Sequence, residues 1–150
     1  MRKVTAGVFF LVISFLSGCK STPPQVSGKW HGTTQLTATF TTAISSKPRT
    51  ENFPANFVLV LTQKGQSIHG DASVTAAKAP PLHIRIATGV IQQDGKISLE
   101  GDGNSTLSRS HLSFDGKAQG GKIAGMVDVA LNGISGSAEN KGLLTLEPAN

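Results

Sequence analysis

Apolar and polar residues alternate in short segments from Gly28 to the end of the chain, and glycine-bearing turns separate the segments. Alternation with a period of two is typical of β-strands with one buried face, and no segment shows the period of an amphipathic helix. Val, Ile, Leu, Phe and Thr dominate the segments, which favours strands. The pattern predicts strands over residues 28–42, 55–63, 66–75, 82–92, 96–102, 109–118, 122–131 and 134–147, with Asn140-Lys141-Gly142 as a candidate break in the last.

Turn chemistry predicts how these strands pair. The predicted two-residue turns are Lys64-Gly65, Asp94-Gly95 and Gly120-Gly121. They align Leu61 with Ile68, Leu59 with Gly70, Phe57 with Ala72, Val90 with Leu99, Gln92 with Ile97, Phe114 with Val127, Leu112 with Val129 and Ala118 with Ile123. Across the longer connection at 75–81, the expected partners are Val74 with Leu82, Ser73 with His83, and Asp71 with Arg85. These registers gather apolar residues on a common face, so local turns and long-range pattern agree.

Sequential antiparallel strands joined by hairpins predict an all-β fold. We expect an eight-stranded antiparallel up-and-down meander closed into a small barrel, because closure leaves no exposed strand edge. A two-sheet β-sandwich is the alternative.

The predicted interior is apolar and contains no charged residue. It consists of Trp30, Leu36, Phe40, Phe57, Leu59, Leu61, Ile84, Ile86, Val90, Leu99, Phe114, Val127 and Val129, interspersed with Gly70, Ala72, Gly101, Gly116 and Gly125. Such small residues either leave an apolar cavity or allow bends in a tightly packed barrel. We favour the packed barrel, with Trp30 as a plug at one end.

The first strand begins with Gly28-Lys29-Trp30, which resembles the Gly-x-Trp opening of lipocalins and avidin-like barrels. Segments 57–65, 123–127 and 142–146 are similar to those of small lipocalin-like barrels in bacterial exported proteins. The resemblance implies a lipocalin-like barrel. It does not extend to the biotin-contacting residues of avidin, so the ligand-binding residues are unknown.

The start of the chain resembles a bacterial lipoprotein signal. Arg2 and Lys3 precede an apolar stretch at 8–16 that is too short to span a bilayer, and Leu16-Ser17-Gly18-Cys19 resembles a lipobox. The resemblance implies cleavage between Gly18 and Cys19, followed by acylation of Cys19, the only cysteine of the chain. An ordinary secreted protein is the alternative.

The lipobox divides the chain into a signal peptide at 1–18, a lipidated cysteine with a short tether at 19–27, and a barrel domain at 28–150. Prolines in the tether favour an extended segment of roughly 20 Å. Lys20, in place of the Asp that retains lipoproteins in the inner membrane of enteric bacteria, favours the outer membrane. We therefore expect a lipid-anchored protein of the bacterial cell envelope.

The charge and the polar residues exclude several function classes. Twelve basic and nine acidic residues follow Gly18, a formal charge of +3 without any basic run, which gives nucleic-acid binding little support.

Strand alternation places all four histidines outside the barrel, so no metal site is expected. Segment 100–104 has oxygen ligands suited to calcium, but His111 stands where a calcium loop requires Glu. Motifs for hydrolases, phosphate loops and zinc proteases are absent.

These observations predict a non-catalytic barrel, without a cofactor, that binds an envelope protein or a small apolar ligand. The alternative is an envelope inhibitor of a protease or lysozyme that uses the segment 43–55 as a protruding loop. The positive charge argues against lysozyme, which is itself basic. A third possibility, an enzyme, requires convergent polar groups that the predicted interior lacks.

Overall fold

The computed structural model describes residues 21–42, 44–77 and 79–149, and they form a closed antiparallel barrel in which each strand pairs with the next. The strands are β1 (Gly28–Thr42), β2 (Ser45–Lys64), β3 (Ser67–Ala76), β4 (Leu82–Ile91), β5 (Lys96–Asn104), β6 (Ser108–Gln119), β7 (Lys122–Gly133) and β8 (Gly136–Pro148). Pairing of β8 with β1 closes the barrel. The predicted meander barrel is thus confirmed, and the sandwich is wrong. Among the described residues, no helix is long and apolar enough to span a bilayer.

The connections alternate between the two ends of the barrel, which we call the base and the mouth. The base holds the start of β1, the end of β8 and the connections at 65–66, 92–95 and 120–121. The mouth holds the connections between β1 and β2 and those at 77–81, 105–107 and 134–135.

Two predicted registers are confirmed residue by residue. Around Gly120-Gly121, the observed pairs include Phe114 with Val127. Across the longer connection at the mouth, Asp71 lies opposite Arg85. In both hairpins the buried face holds the apolar side chains, which is the pattern that fixed the prediction.

The first predicted turn is displaced by one position. Gly65-Gln66 forms the turn rather than Lys64-Gly65, so Leu61 lies opposite Gly70 instead of Ile68. Gly65 has a φ of +63°, a left-handed conformation that glycine adopts without a steric penalty. Moving the turn by one position changes the register by two residues, so each side chain keeps its predicted face.

The second predicted turn, Asp94-Gly95, is wrong, because the connection spans residues 92–95 and Ile97 lies opposite Ile91 rather than Gln92. β4 also contains a β-bulge at Ala87. Because of the extra residue, the side chains after Ala87 point to the opposite face of the sheet from the one that the alternation before it predicts. Val90, predicted inside, is 46% exposed, whereas Ile91 is buried. A single inserted residue produces this error because side chains alternate with a period of two.

Segment 43–55 is not a loop over the residues that the structure describes. β2 begins at Ser45 and pairs with the half of β1 nearest the mouth, from Thr42 opposite Ser45 to Leu36 opposite Phe53. The inhibitor hypothesis therefore loses the protruding loop on which it depended.

The last strand is continuous, so the candidate break at Asn140-Lys141-Gly142 is wrong. β8 pairs with β7 at every position from Gly136 to Leu146. Its inward side chains include Ala138, Asn140 and Leu144, which are buried.

The lower and middle parts of the barrel are filled by branched and aromatic side chains. The fully buried large residues are Phe57, Phe114, Leu59, Ile68, Ile84, Ile86, Ile91, Leu99, Leu112, Ile123, Leu144 and Leu146. The predicted small residues mainly permit close approach of strands. A Cβ atom on Gly125, for example, would lie 2.2 Å from the carbonyl oxygen of Asp115.

Candidate functional site

An apolar cavity of about 320 Å³ opens at the mouth of the barrel. Its wall combines apolar side chains from the upper ends of the strands with small and hydroxyl-bearing residues from the mouth connections. The lining residues are Leu36, Phe40, Thr41, Thr42, Phe53, Val74, Ala76, Ala79, Pro80, Leu82, Ser108, Val129, Leu131, Gly133, Ser135, Gly136, Ser137, Ala138 and Asn140. The volume lies at the lower end of the range typical of small-molecule sites, about 300–1,000 Å³.

The base, by contrast, is closed. Trp30 is 6% exposed and its indole Nε1–H donates to the carbonyl oxygen of Val26, 2.8 Å away. Val26 is itself buried, and its amide donates to the side-chain oxygen of Gln63. The predicted plug at Trp30 is therefore confirmed.

The difference between the two ends follows from side-chain size. A single bulky indole and the apolar chain segment beneath it fill the base. At the mouth, the corresponding inward or rim positions carry Ala76, Ala138 and Gly133, which leave space between Phe53 and Leu131. The packed-barrel prediction is thus right for the base and wrong for the mouth.

The predicted tether does not extend freely over the residues that the structure describes. Ser21 donates to the side-chain oxygen of Gln93 at the base, and Val26 belongs to the core. Residues 21–27 therefore lie against the closed end, whereas Gly18 and Cys19 lie outside the described residues.

Asn140 is the functional candidate that the sequence analysis missed. Its side chain is buried, lines the cavity, and donates from Nδ2 to the carbonyl oxygen of Val129 at 2.7 Å. The alternation of Leu146, Leu144 and Ala138 would have placed Asn140 inside, had the strand not been interrupted at that position in the prediction.

The four histidines lie on the outside, as predicted. His31, His69, His83 and His111 are all exposed. One of them has a carboxylate partner: Nδ1 of His111 lies 2.8 Å from Oδ1 of Asp102 across β5 and β6. No group of three or more His, Cys, Asp or Glu side chains suited to a metal occurs among the described residues.

The calcium candidate at 100–104 lies within a strand rather than a loop. Glu100, Asp102 and Asn104 alternate on the exposed face of β5, and Gly101 and Gly103 are buried between them. An extended strand separates these oxygens along the sheet instead of wrapping them around one ion.

Ion pairs across the outer face bias several ionisable groups towards their charged forms. Lys122 donates to the carboxylate of Glu147 at 2.5 Å and lowers the pKa of Glu147 through this hydrogen bond and its charge. Oδ2 of Asp128 lies 3.1 Å from Nζ of Lys141, and this hydrogen bond raises the pKa of Lys141. Lys122, Lys141 and Glu147 are exposed, Asp128 is half-buried, and none of the four lines the cavity, so these ion pairs contribute to strand pairing on the outer face.

The cavity wall is suited to binding. None of the lining residues named above is charged, and the polar groups are hydroxyls, the Asn140 amide and backbone.

No protein-family model and no curated protein matches this sequence. Among solved structures, the S-type phycobiliprotein lyase CPES from Guillardia theta is similar over 83% of this chain and 88% of its own. The sequence identity is 10% and the TM-score is 0.37. The class defined here, a small closed eight-stranded meander barrel with one open end, rests on the strand pairing of this chain.

Proposed function

We propose that this protein is a non-catalytic binding barrel that holds a small apolar ligand in the cavity at its mouth. The single observation that carries the proposal is the cavity itself, about 320 Å³ of mainly apolar space in a barrel that is otherwise filled. An empty apolar cavity removes dispersion contacts from the residues that line it, and a ligand restores them. The burial of apolar ligand surface adds the hydrophobic contribution.

We also propose that the chain is a lipoprotein of the bacterial envelope, anchored through Cys19. The support is the lipobox-like ending at Leu16-Ser17-Gly18-Cys19 after a short apolar stretch. Several acyl chains together give stable membrane attachment, whereas one chain does not.

The fold gives this anchor a consequence for orientation. Ser21 contacts Gln93 at the base, and Cys19 is only two residues away, or about 7 Å of extended chain. An acylated Cys19 would therefore hold the base next to the lipid and point the mouth away from it. The ligand would exchange through the aqueous side.

Native mass spectrometry tests ligand binding. Residues 20–150, which contain the whole barrel, would be exported to a bacterial periplasm behind an unrelated cleavable signal and purified gently. We expect a mass excess that disappears on denaturation, and Ala138→Trp, which fills the cavity, should abolish it. A clean apo mass, together with no uptake of added 1-naphthol or naphthalene, would overturn the proposal.

Membrane fractionation tests the anchor. The unmodified protein should sediment with membranes, whereas Cys19→Ser, folded and exported, should not carry acyl chains or remain membrane-bound. Retention of folded Cys19→Ser in the membrane fraction would contradict acyl anchoring while leaving the cavity proposal intact.

A further inference from the structure

One buried polar group distinguishes the cavity from a purely apolar pocket. Among the described residues, only Ser110 and Asn140 are buried polar side chains, and of these only Asn140 lines the cavity. The Oγ–H of Ser110 donates to the carbonyl oxygen of Gly103 at 3.1 Å, away from the cavity wall. Asn140 is 3% exposed, so its amide has little access to bulk water.

The hydrogen bond to Val129 sets the orientation of the Asn140 amide. Nδ2 lies 2.7 Å from the carbonyl oxygen of Val129, which can only accept a hydrogen bond. The opposite orientation would bring Oδ1 against that oxygen, so Nδ2 must occupy this position. Oδ1 is therefore the acceptor of this amide that remains available: no described residue donates to it, and it is not fully enclosed, because the only fully enclosed side-chain atom without a partner among the described residues is Oδ1 of Asp128. A donor group on a ligand can reach this oxygen from the cavity, and a hydrogen bond formed there is shielded from bulk water.

The charge of the cavity wall restricts the ligand further. No lining residue carries a charge, so an anionic ligand would lose its hydration without gaining a counter-ion. A carboxylate would gain at most the second N–H of Asn140 Nδ2, and any carboxylate oxygen placed against Oδ1 would meet another acceptor. A neutral ligand with an O–H or N–H donor avoids both penalties.

We propose that Asn140 selects the ligand: the barrel binds a neutral apolar molecule whose one polar group is a hydrogen-bond donor directed at Asn140 Oδ1. This inference rests on the proposed binding function and names the chemical class that the same cavity takes. Leu36, Phe53 and Leu131 contact the apolar body of the ligand, and Asn140 determines which end enters first.

A set of related probes tests this selection in the purified protein. 1-Naphthol carries one donor, naphthalene carries none, and 1-naphthoate carries a charge on the same ring system. Fluorescence titration gives a Kd for each. In Asn140→Leu, which removes the acceptor but keeps similar size, we expect the preference for 1-naphthol over naphthalene to fall about tenfold, the value of one hydrogen bond to a buried group. 1-Naphthoate should bind the unmodified protein at least about tenfold more weakly than 1-naphthol.

Two further variants separate the possible failures. Ser110→Ala removes the other buried polar side chain and should leave the preference unchanged, which controls for a general loss of stability. Ala138→Trp should abolish binding of both neutral probes. An equal preference in the unmodified protein and in Asn140→Leu would overturn the role of Asn140 while binding itself stands. If Asn140→Leu does not fold, equal or tighter binding of 1-naphthoate by the unmodified protein overturns the inference. Binding of none of the probes overturns the cavity proposal.

Discussion

Enlarging an alanine should have opposite effects on stability in the two halves of the barrel. Ala138 lines the cavity, so the three carbons added in Ala138→Leu have room in about 320 Å³. Three buried carbons contribute about 2.4 kcal/mol at ~0.8 kcal/mol each, and ordering the new side chain costs about 0.5–1 kcal/mol. The variant should therefore be more stable by about 1.5 kcal/mol. Ala72 is 3% exposed between Leu59 and Ile84 on the neighbouring strands. Ala72→Leu should be destabilised by about 1–3 kcal/mol through overpacking.

Urea unfolding followed by circular dichroism measures both changes. With a slope of about 1.5 kcal/mol per molar urea, Ala138→Leu should raise the midpoint by about 1 M and Ala72→Leu should lower it by about 0.7–2 M. The slope should not change, because the surface exposed on unfolding stays nearly the same. A destabilised Ala138→Leu would refute the open cavity, and a neutral or stabilised Ala72→Leu would refute the packed middle of the barrel.

Three other perturbations test the base, a close strand contact and the pH dependence. Trp30→Phe leaves a buried carbonyl without its indole donor and should lower stability by about 1–3 kcal/mol; unchanged unfolding by circular dichroism would contradict the plug. Gly125→Ala places Cβ 2.2 Å from the oxygen of Asp115, whereas at Gly133 the nearest atom is 3.4 Å away. The first variant should lose at least about 2 kcal/mol and Gly133→Ala much less, so equal urea midpoints would argue against the contact. A backbone N–H lowers the pKa of Asp94 below 3.8, so its stabilising contribution is present above that pH and is lost as pH falls through the lowered pKa. Between pH 5 and 2, Asp94→Asn should lose less stability than the unmodified protein, and identical acid profiles would contradict this.

The strand order, the hairpin partners and most of the core could be predicted because they depend on a local signal with a period of two. The register at Gly120-Gly121 was predicted correctly since the turn and the alternation on both sides agree. The bulge at Ala87 could not be predicted, because an inserted residue in one strand is visible only against its partner strand. Because of that single insertion, Ile91 is buried and Val90 is exposed, which is the reverse of the prediction.

The candidate site depended more strongly on tertiary structure than the fold did. Asn140 was overlooked because its neighbours Lys141 and Gly142 suggested a break, and only the continuous pairing of β8 with β7 shows that its side chain points inward. The pairing of β2 with β1 places the segment before Phe53 beside β1, where the sequence alone suggested a loop.

Alternation, turn chemistry and the lipobox-like segment thus determined the fold class, the strand order and a hypothesis for the anchor, since each is read from residues close together in the chain. The tertiary structure decided that the base is closed by Trp30 and that the mouth is open. Whether space remains inside a barrel depends on the total volume of the inward side chains that all its strands contribute at the same height along the barrel axis. No short segment of the sequence shows this total volume, because the residues that line the cavity extend from Leu36 to Asn140 along the chain.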